Sequence, residues 1–206
     1  QNVGAQPVFI EIDSNYHIDL DDLNNKAKST GAKFLLLSHM RGHIADMDKI
    51  LAICETSGIT LIEDCAHTMG SRWKGVRSGN FGRVAVFSTQ TYKHLNSGEG
   101  GFLVTNEGEL AAKAVVSSGS YMLYGRHGAI PVESIFQKVR LHAPNYSGRM
   151  DQLRASILRP QLTNLEKNIH RWNDLYGALF LRLSKMNGIV IPKRLNYEFY
   201  VKPHYT

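Results

Sequence analysis

An α/β fold with a largely parallel sheet is the architecture this sequence predicts, and three observations predict it. Two short apolar runs, FLLLS at Phe34–Ser38 and the stretch 59–62, flank a helical pattern over residues 46–56. Strand, helix and strand in that compass form a βαβ unit, and its two strands must run parallel. Further apolar runs at 84–88 (VAVFS) and 101–105 (GFLVT) continue the alternation, so helices flank a mostly parallel sheet.

Each element has its own local signal. Residues 21–28 form a short helix ahead of the first strand. In the 46–56 helix, Met47, Ile50, Leu51 and Cys54 recur at helical spacing, Asp46 and Asp48 sit in the first turn, and Gly58 follows the end. After the fourth strand, Asn106 is expected to cap a helix running to about Ser118, with Glu109 as its capping-box partner. Residues 121–148 show no clear period and are rich in Gly, Pro and His, which predicts a long irregular segment, functional or mobile. From Met150, the series Leu153, Ile157, Leu165, Ile169, Trp172, Tyr176, Leu179 and Leu183 marks a long helix that Pro160 must kink or interrupt. Trp172 and Tyr176 lie on its apolar side and are read as core. There is no internal repeat. The sequence opens QNVGAQ without Met and closes YVKPHYT, which looks like the start of a strand, so both ends are expected to be cuts in a longer protein.

Composition narrows the class. The chain has 206 residues, 43% hydrophobic and 20% charged, in the ordinary range for a globular protein. No apolar run approaches the roughly 18 residues of a membrane helix, and no basic-then-apolar leader is present. Cys54 and Cys65 are not spaced as a redox or zinc pair, so the expectation is a reduced, cytoplasmic protein with no membrane partner. The net charge of +6 comes from Lys and Arg scattered among acids, which argues against a nucleic-acid stripe and for a basic site that takes a phosphorylated ligand.

Ligands of such sheets sit beyond the carboxyl ends of the strands. Asp64 falls at one strand end and Ser88 at another. Lys93 follows in a loop that Gly98, Gly100 and Gly101 leave free to turn. A carboxylate at a strand end beside a lysine points to pyridoxal phosphate. The amine forms a Schiff base with the cofactor aldehyde, while the acid keeps the pyridine nitrogen protonated so that the ring drains electrons. Ser88 is placed to take a phosphate oxygen, Ala66 to lie flat against the ring, and His67 to bond the phenolic oxygen or the Schiff-base region. Read singly, Asp64 is a helix cap, His67 a core histidine and Lys93 a solvated side chain; the pattern raises them above that. The glycines are not a phosphate-binding Walker loop, because no Gly-Lys-Ser/Thr follows. His39 and His43 are four apart, but Gly42 breaks any helix between them and no third ligand is near in sequence, so no metal site is expected.

These motifs carry a resemblance. IEDCAH, followed by GVRSGNFGRVAVFSTQTYKHLNSGEGG, resembles the DegT/StrS sugar aminotransferases of the aspartate-aminotransferase fold type, in which Phe-Ser-x4-Lys-x4-Gly-Glu-Gly-Gly holds the cofactor lysine. Upstream, LLLSHMRGHIADMDKI is similar through His39, Gly42, Asp46 and Asp48, and PVFIEIDSNYHIDLDDL resembles the lead-in; downstream, NYSGRMDQLRASI resembles the Asn-Tyr-Arg-Met segment. The resemblance implies that Lys93 bonds the cofactor and shuttles the proton. It implies Asp64 at the ring nitrogen, His67 at the phenolic oxygen and Ser88 at the phosphate. Asn145 would reach a neighbouring subunit's phosphate across a homodimer interface, although Ser147 and Gly148 intervene before Arg149. Dehydratases of the family carry histidine in place of the lysine, so Lys93 favours amino transfer. The implied reaction moves an amino group from a donor such as glutamate to a nucleotide-linked keto-sugar, with the acceptor pocket drawing on the segment around His127. The rival reading is a non-catalytic scaffold or regulator of the same fold. Members are much longer than this chain, with a second phosphate loop and a ring-stacking aromatic upstream. Residues 1–185 are thus expected to be the central part of a fold-type-I large domain, and 186–206 the start of a small C-terminal domain.

Overall fold

A computed structural model describes residues 3–119, 125 and 131–201. In order, the elements are α1 (Leu20–Thr30), β1 (Phe34–Ser38), α2 (Met47–Ser57), β2 (Thr60–Asp64), β3 (Arg72–Trp73), β4 (Val76–Arg77), β5 (Val84–Ser88), β6 (Gly101–Val104), α3 (Gly108–Ser117), α4 (Glu133–Val139), α5 (Gln152–Thr163), α6 (Leu165–Leu183) and β7 (Glu198–Phe199). The main sheet has the order β1-β2-β5-β6, parallel except for antiparallel β6. A small antiparallel sheet, β4-β3-β7, lies apart from it. Among the described residues no helix is long and apolar enough to cross a membrane.

The βαβ unit forms where the periodicity places it. Asp46 caps α2 through the amide of Lys49, and Gly58 ends it in the left-handed conformation that a Cβ disfavours. Asp19 caps α1 through the amides of Asp21 and Asp22. One face of the sheet buries Leu35, Leu37 and Leu61 against Leu23 of α1 and Met47, Ile50 and Cys54 of α2. The opposite face is open: Phe34 and Leu36 are 64% and 65% exposed, and Val86 and Leu103 are also exposed.

Three expectations change. Asn106 does not cap α3; Glu107 stands at that position, clamped by both arms of the Arg83 guanidinium, and Thr105 Oγ1 accepts its amide. The segment 121–148 contains α4, whose Phe136 and Val139 pack on Ala112 of α3; two apolar residues three apart were too short a period to register. Pro160 lies within α5, and the break falls four residues later at Asn164, whose amide still reaches the Pro160 carbonyl. Of the apolar series along α5 and α6, Ile169 and Trp172 are buried, whereas Leu153, Ile157 and Leu179 are exposed.

Glu63 locks the sheet from within. It occupies an inward position of β2, two residues after Leu61, and is wholly buried. Its Oε1 accepts the amides of Phe81 and Gly82 at 2.8 and 2.7 Å; its Oε2 accepts that of Gly79 at 2.9 Å and lies 3.1 Å from His39 Nε2. The loop can wrap this closely only with glycine at position 82, where a Cβ would sit 2.8 Å from the Leu61 carbonyl oxygen. Burial pushes the Glu63 carboxyl up, but His39 and the Gly79 and Gly82 amides outweigh it and hold the group below its usual value.

Glu63→Ala strips the partner from these buried amides, so urea unfolding of the full chain should show a loss of about 3–5 kcal/mol; a loss below about 1 kcal/mol would show the carboxylate to be dispensable. Because the folded value is the lower one, the carboxylate's contribution is present above the ordinary value of 4.5 and should disappear as pH falls below it.

Candidate functional site

The site is built at the carboxyl end of the sheet. Asp64 ends β2 in register with Ser38, and it accepts the Ser38 hydroxyl on Oδ2 at 3.0 Å and the Ala66 amide on Oδ1 at 3.0 Å. Asp64 is therefore oriented by its neighbours, and the amide hydrogen bond ties Ala66, two residues on, to it. Ser88 ends β5; alternation along that strand puts it on the same sheet side as Val86, the register partner of Asp64. The Ser88 Oγ accepts the Gln90 amide at 3.3 Å, which leaves its own proton free to donate.

Lys93 stands on a short closed loop. The amides of Thr89, Thr91 and Ser97 bond to Gly100, Gly98 and Thr89 carbonyls, cinching residues 89–100. Gly100 and Gly101 are needed at its base, since a Cβ on Gly101 would lie 2.5 Å from the Phe87 carbonyl oxygen. Leu95 is fully buried, the His94 ring stacks 5.1 Å from that of Trp172, and Gln161 of α5 exchanges two hydrogen bonds with the backbone of Asn96. Trp172 is thus core, as its spacing predicts, and it holds the residue next to Lys93.

The charges of Lys93, Asp64, His67 and Arg41 interact. Burial lowers the Lys93 amine below its ordinary value, Arg41 adds to the effect and Asp64 opposes it. Burial also lowers His67, and Lys93 reinforces this. The His67 Nδ1 accepts the Arg41 amide at 3.1 Å, so the ring proton of the neutral imidazole is carried on Nε2. Immediately after Asp64, the buried Cys65 thiol is pushed up to about 12, mainly by its own burial and then by Glu63.

The structure thus brings together Asp64, Ala66, His67 and Lys93, with Ser88 on the adjoining strand. Asn145 is held elsewhere in the chain, beside Gly119 at the end of α3, where its Oδ1 accepts the Ser147 amide. His127 lies outside the described residues. Two participants escape a reading by motif. Arg41 sits at φ 57° in the turn after β1, a left-handed conformation in a non-glycine residue that sequence does not announce. Ser38 carries no signal until the β1–β2 register sets it against Asp64. Glu63 did leave a signal, an acid in an inward strand position followed by a glycine-rich stretch.

Comparison with known proteins fits this geometry. The model of the DegT/DnrJ/EryC1/StrS aminotransferase family matches residues 1–198. The chain is 31% identical to the pleiotropic regulatory protein of Geobacillus stearothermophilus, over 98% of this chain and 52% of that protein. It is 32% identical to the dTDP-3-amino-3,4,6-trideoxy-alpha-D-glucose transaminase of Micromonospora megalomicea subsp. nigra, over 80% and 41%. The crystal structure of S. venezuelae DesV superimposes with a TM-score of 0.81 at 26% identity, covering 98% of this chain and 51% of that one. The chain spans about half the length of the relatives it matches, and its fold is an incomplete fold-type-I transferase domain.

Replacing Arg41 with Gln removes a cation beside Lys93 while keeping a residue with a Cβ at φ 57°. The Lys93 amine should rise toward its ordinary 10.5, seen as a shift to higher pH in the profile of its labelling by an amine-reactive probe; an unmoved profile would remove Arg41 from the site's electrostatics.

Proposed function

We infer from the DegT/DnrJ/EryC1/StrS aminotransferase family, to which this chain belongs, that the full protein is a pyridoxal-phosphate-dependent aminotransferase. It passes an amino group from an amino acid such as glutamate to a nucleotide-linked keto-sugar. The observation that supports the reading is the convergence of Lys93 and His67 on Asp64, a carboxylate oriented by Ser38 and Ala66 at a strand end.

The residues present fit that cofactor. Pyridoxal phosphate, when bound, supplies an aldehyde that condenses with amines and a ring that accepts electrons. The lowered Lys93 amine is more often neutral than a free lysine, and only a neutral amine attacks a carbonyl. Lys93 Nζ would also be the base that takes the proton from the α-carbon of the amino donor and holds it for return. Asp64, each oxygen already fixed by one donor, keeps lone pairs to hold the proton of a ring nitrogen. The His67 Nε2–H donates to the phenolic oxygen, and the Ser88 hydroxyl donates to phosphate. Ala66 offers a flat, small surface to the ring. Asn145 completes a phosphate site in the partner subunit of a homodimer.

Residues 1–185 are read as the central part of the large domain and 186–206 as the entry to a small one, whose strand β7 folds back onto β3. A regulatory protein retaining the fold is the second reading, favoured by the name of the Geobacillus relative. Visible absorption that borohydride bleaches separates the two, since a scaffold lacks it.

In the full-length protein, Lys93→Ala should lower turnover of keto-sugar and glutamate by more than about 10⁴-fold, because acid–base and covalent roles vanish together; near-normal turnover would sink the assignment. Lys93→Arg should not rescue it. Asp64→Asn should retain cofactor and slow the proton transfer. Mixing inactive Lys93→Ala and Asn145→Ala subunits should restore one working site per mixed dimer. Failure after demonstrated subunit exchange would refute the shared site.

A further inference from the structure

Behind the turn that carries Arg41, three side chains from distant parts of the chain converge: His17, His43 and Glu198. His17 belongs to the turn between the bridged residues Ile12 and Ile18, His43 to the β1–α2 connection, and Glu198 to β7. One donor atom from each lies within 4.8 Å of the others. The third ligand that local sequence lacks for His43 is thereby supplied by folding.

The donor atoms are unspent. The Nε2 of His17, Nδ1 of His43 and Oε2 of Glu198 are buried and make no hydrogen bond. The His43 Nδ1 to Glu198 Oε1 distance is 3.7 Å, too long for one. Three inward-facing polar atoms left unpaired would each cost free energy unless something bonds them. The surroundings orient them. Glu198 Oε1 is held by the Ile44 amide at 2.8 Å, leaving Oε2 for another partner. Asp13 Oδ1 accepts the His17 amide at 2.9 Å and stands 3.9 Å from Nδ1, the ring nitrogen on the far side from Nε2.

The second such group among the described residues, His39, Glu63 and Cys65, serves as a contrast. There both carboxylate oxygens are already occupied by amides, and the thiol pushed up to about 12 is not a thiolate. In that cluster the carboxylate has no oxygen left over, although the far ring nitrogen of His39 is unpartnered; in the His17 cluster the carboxylate Oε2 itself is unspent.

We propose that His17, His43 and Glu198 bind one divalent transition-metal ion of the zinc class, with water completing its coordination. Two imidazoles and a carboxylate suit such an ion better than magnesium or calcium, which take oxygen donors. Zinc bonds of roughly 2.0–2.2 Å place neighbouring ligand atoms about 3.3 Å apart, so side-chain movements of about 1 Å close the site. The ion clips the lead-in segment and β7 to the turn whose Arg41 amide meets His67 and whose Arg41 carbonyl accepts the Tyr200 hydroxyl.

The test is a Co²⁺ titration of the full chain after chelator treatment, followed by its visible d–d absorption, with Zn²⁺ measured by elemental analysis after dialysis. One equivalent of either ion per chain is expected, and both signals should fall at least tenfold in His17→Gln and in Glu198→Gln. The latter keeps an oxygen for the Ile44 amide, so its fold is preserved. His142→Gln, at an exposed position, should bind like the parent. Substoichiometric binding by the parent, or undiminished binding by both site variants, would overturn the proposal.

Discussion

A carboxylate taken out of water must be repaid in hydrogen bonds, and the sheet of this protein is organised around one such debt. Glu63 lies where an aliphatic residue would fit, and three amides from the stretch between β4 and β5, with His39 at the end of β1, converge on it. The consequence is geometric. The same contacts that satisfy Glu63 fix the spacing of β1, β2 and β5, and Asp64 is the very next residue. Its position is set by a neighbour that faces the other way.

The site inherits that order but adds an electrostatic asymmetry. Lys93 feels a carboxylate on one side and the Arg41 guanidinium on the other, and burial tips the balance against its charged form. His67 feels the same lysine and is likewise kept neutral. Neither effect belongs to a single residue type. Both arise first from burial, and the left-handed turn after β1 adds the Arg41 charge to each. The lysine loop itself is pinned from α5 and α6 through Gln161 and Trp172, so the helices contribute to the site without lining it.

Much of this was legible from residues alone. The four main strands and α2 follow from apolar runs and end signals, and Asp64, Ser88 and Lys93 follow from their positions at strand ends and among glycines. What was not legible depends on contacts between remote segments. The small sheet uses two-residue strands, too short for any period, and β7 pairs with β3 across most of the chain. Asn106 looked like a cap because its side chain is suitable, yet the Arg83–Glu107 pair decides where α3 begins. His43 looked isolated because its companions are far off in sequence. The exposed stripe on α5 shows the converse: periodicity reveals an apolar side, not what covers it.

Cys65 directly follows the two acids that matter most, yet its thiol is almost wholly buried and pushed up to about 12. Only a thiolate attacks disulfides, peroxides or alkylating agents at an appreciable rate. Cys54, the other sulfhydryl, is buried in the helical layer and raised by that burial. Oxidative damage to this polypeptide therefore requires the structure to open first, and the kinetics of thiol modification become a clock for that opening rather than a gauge of whether the adjacent site is occupied.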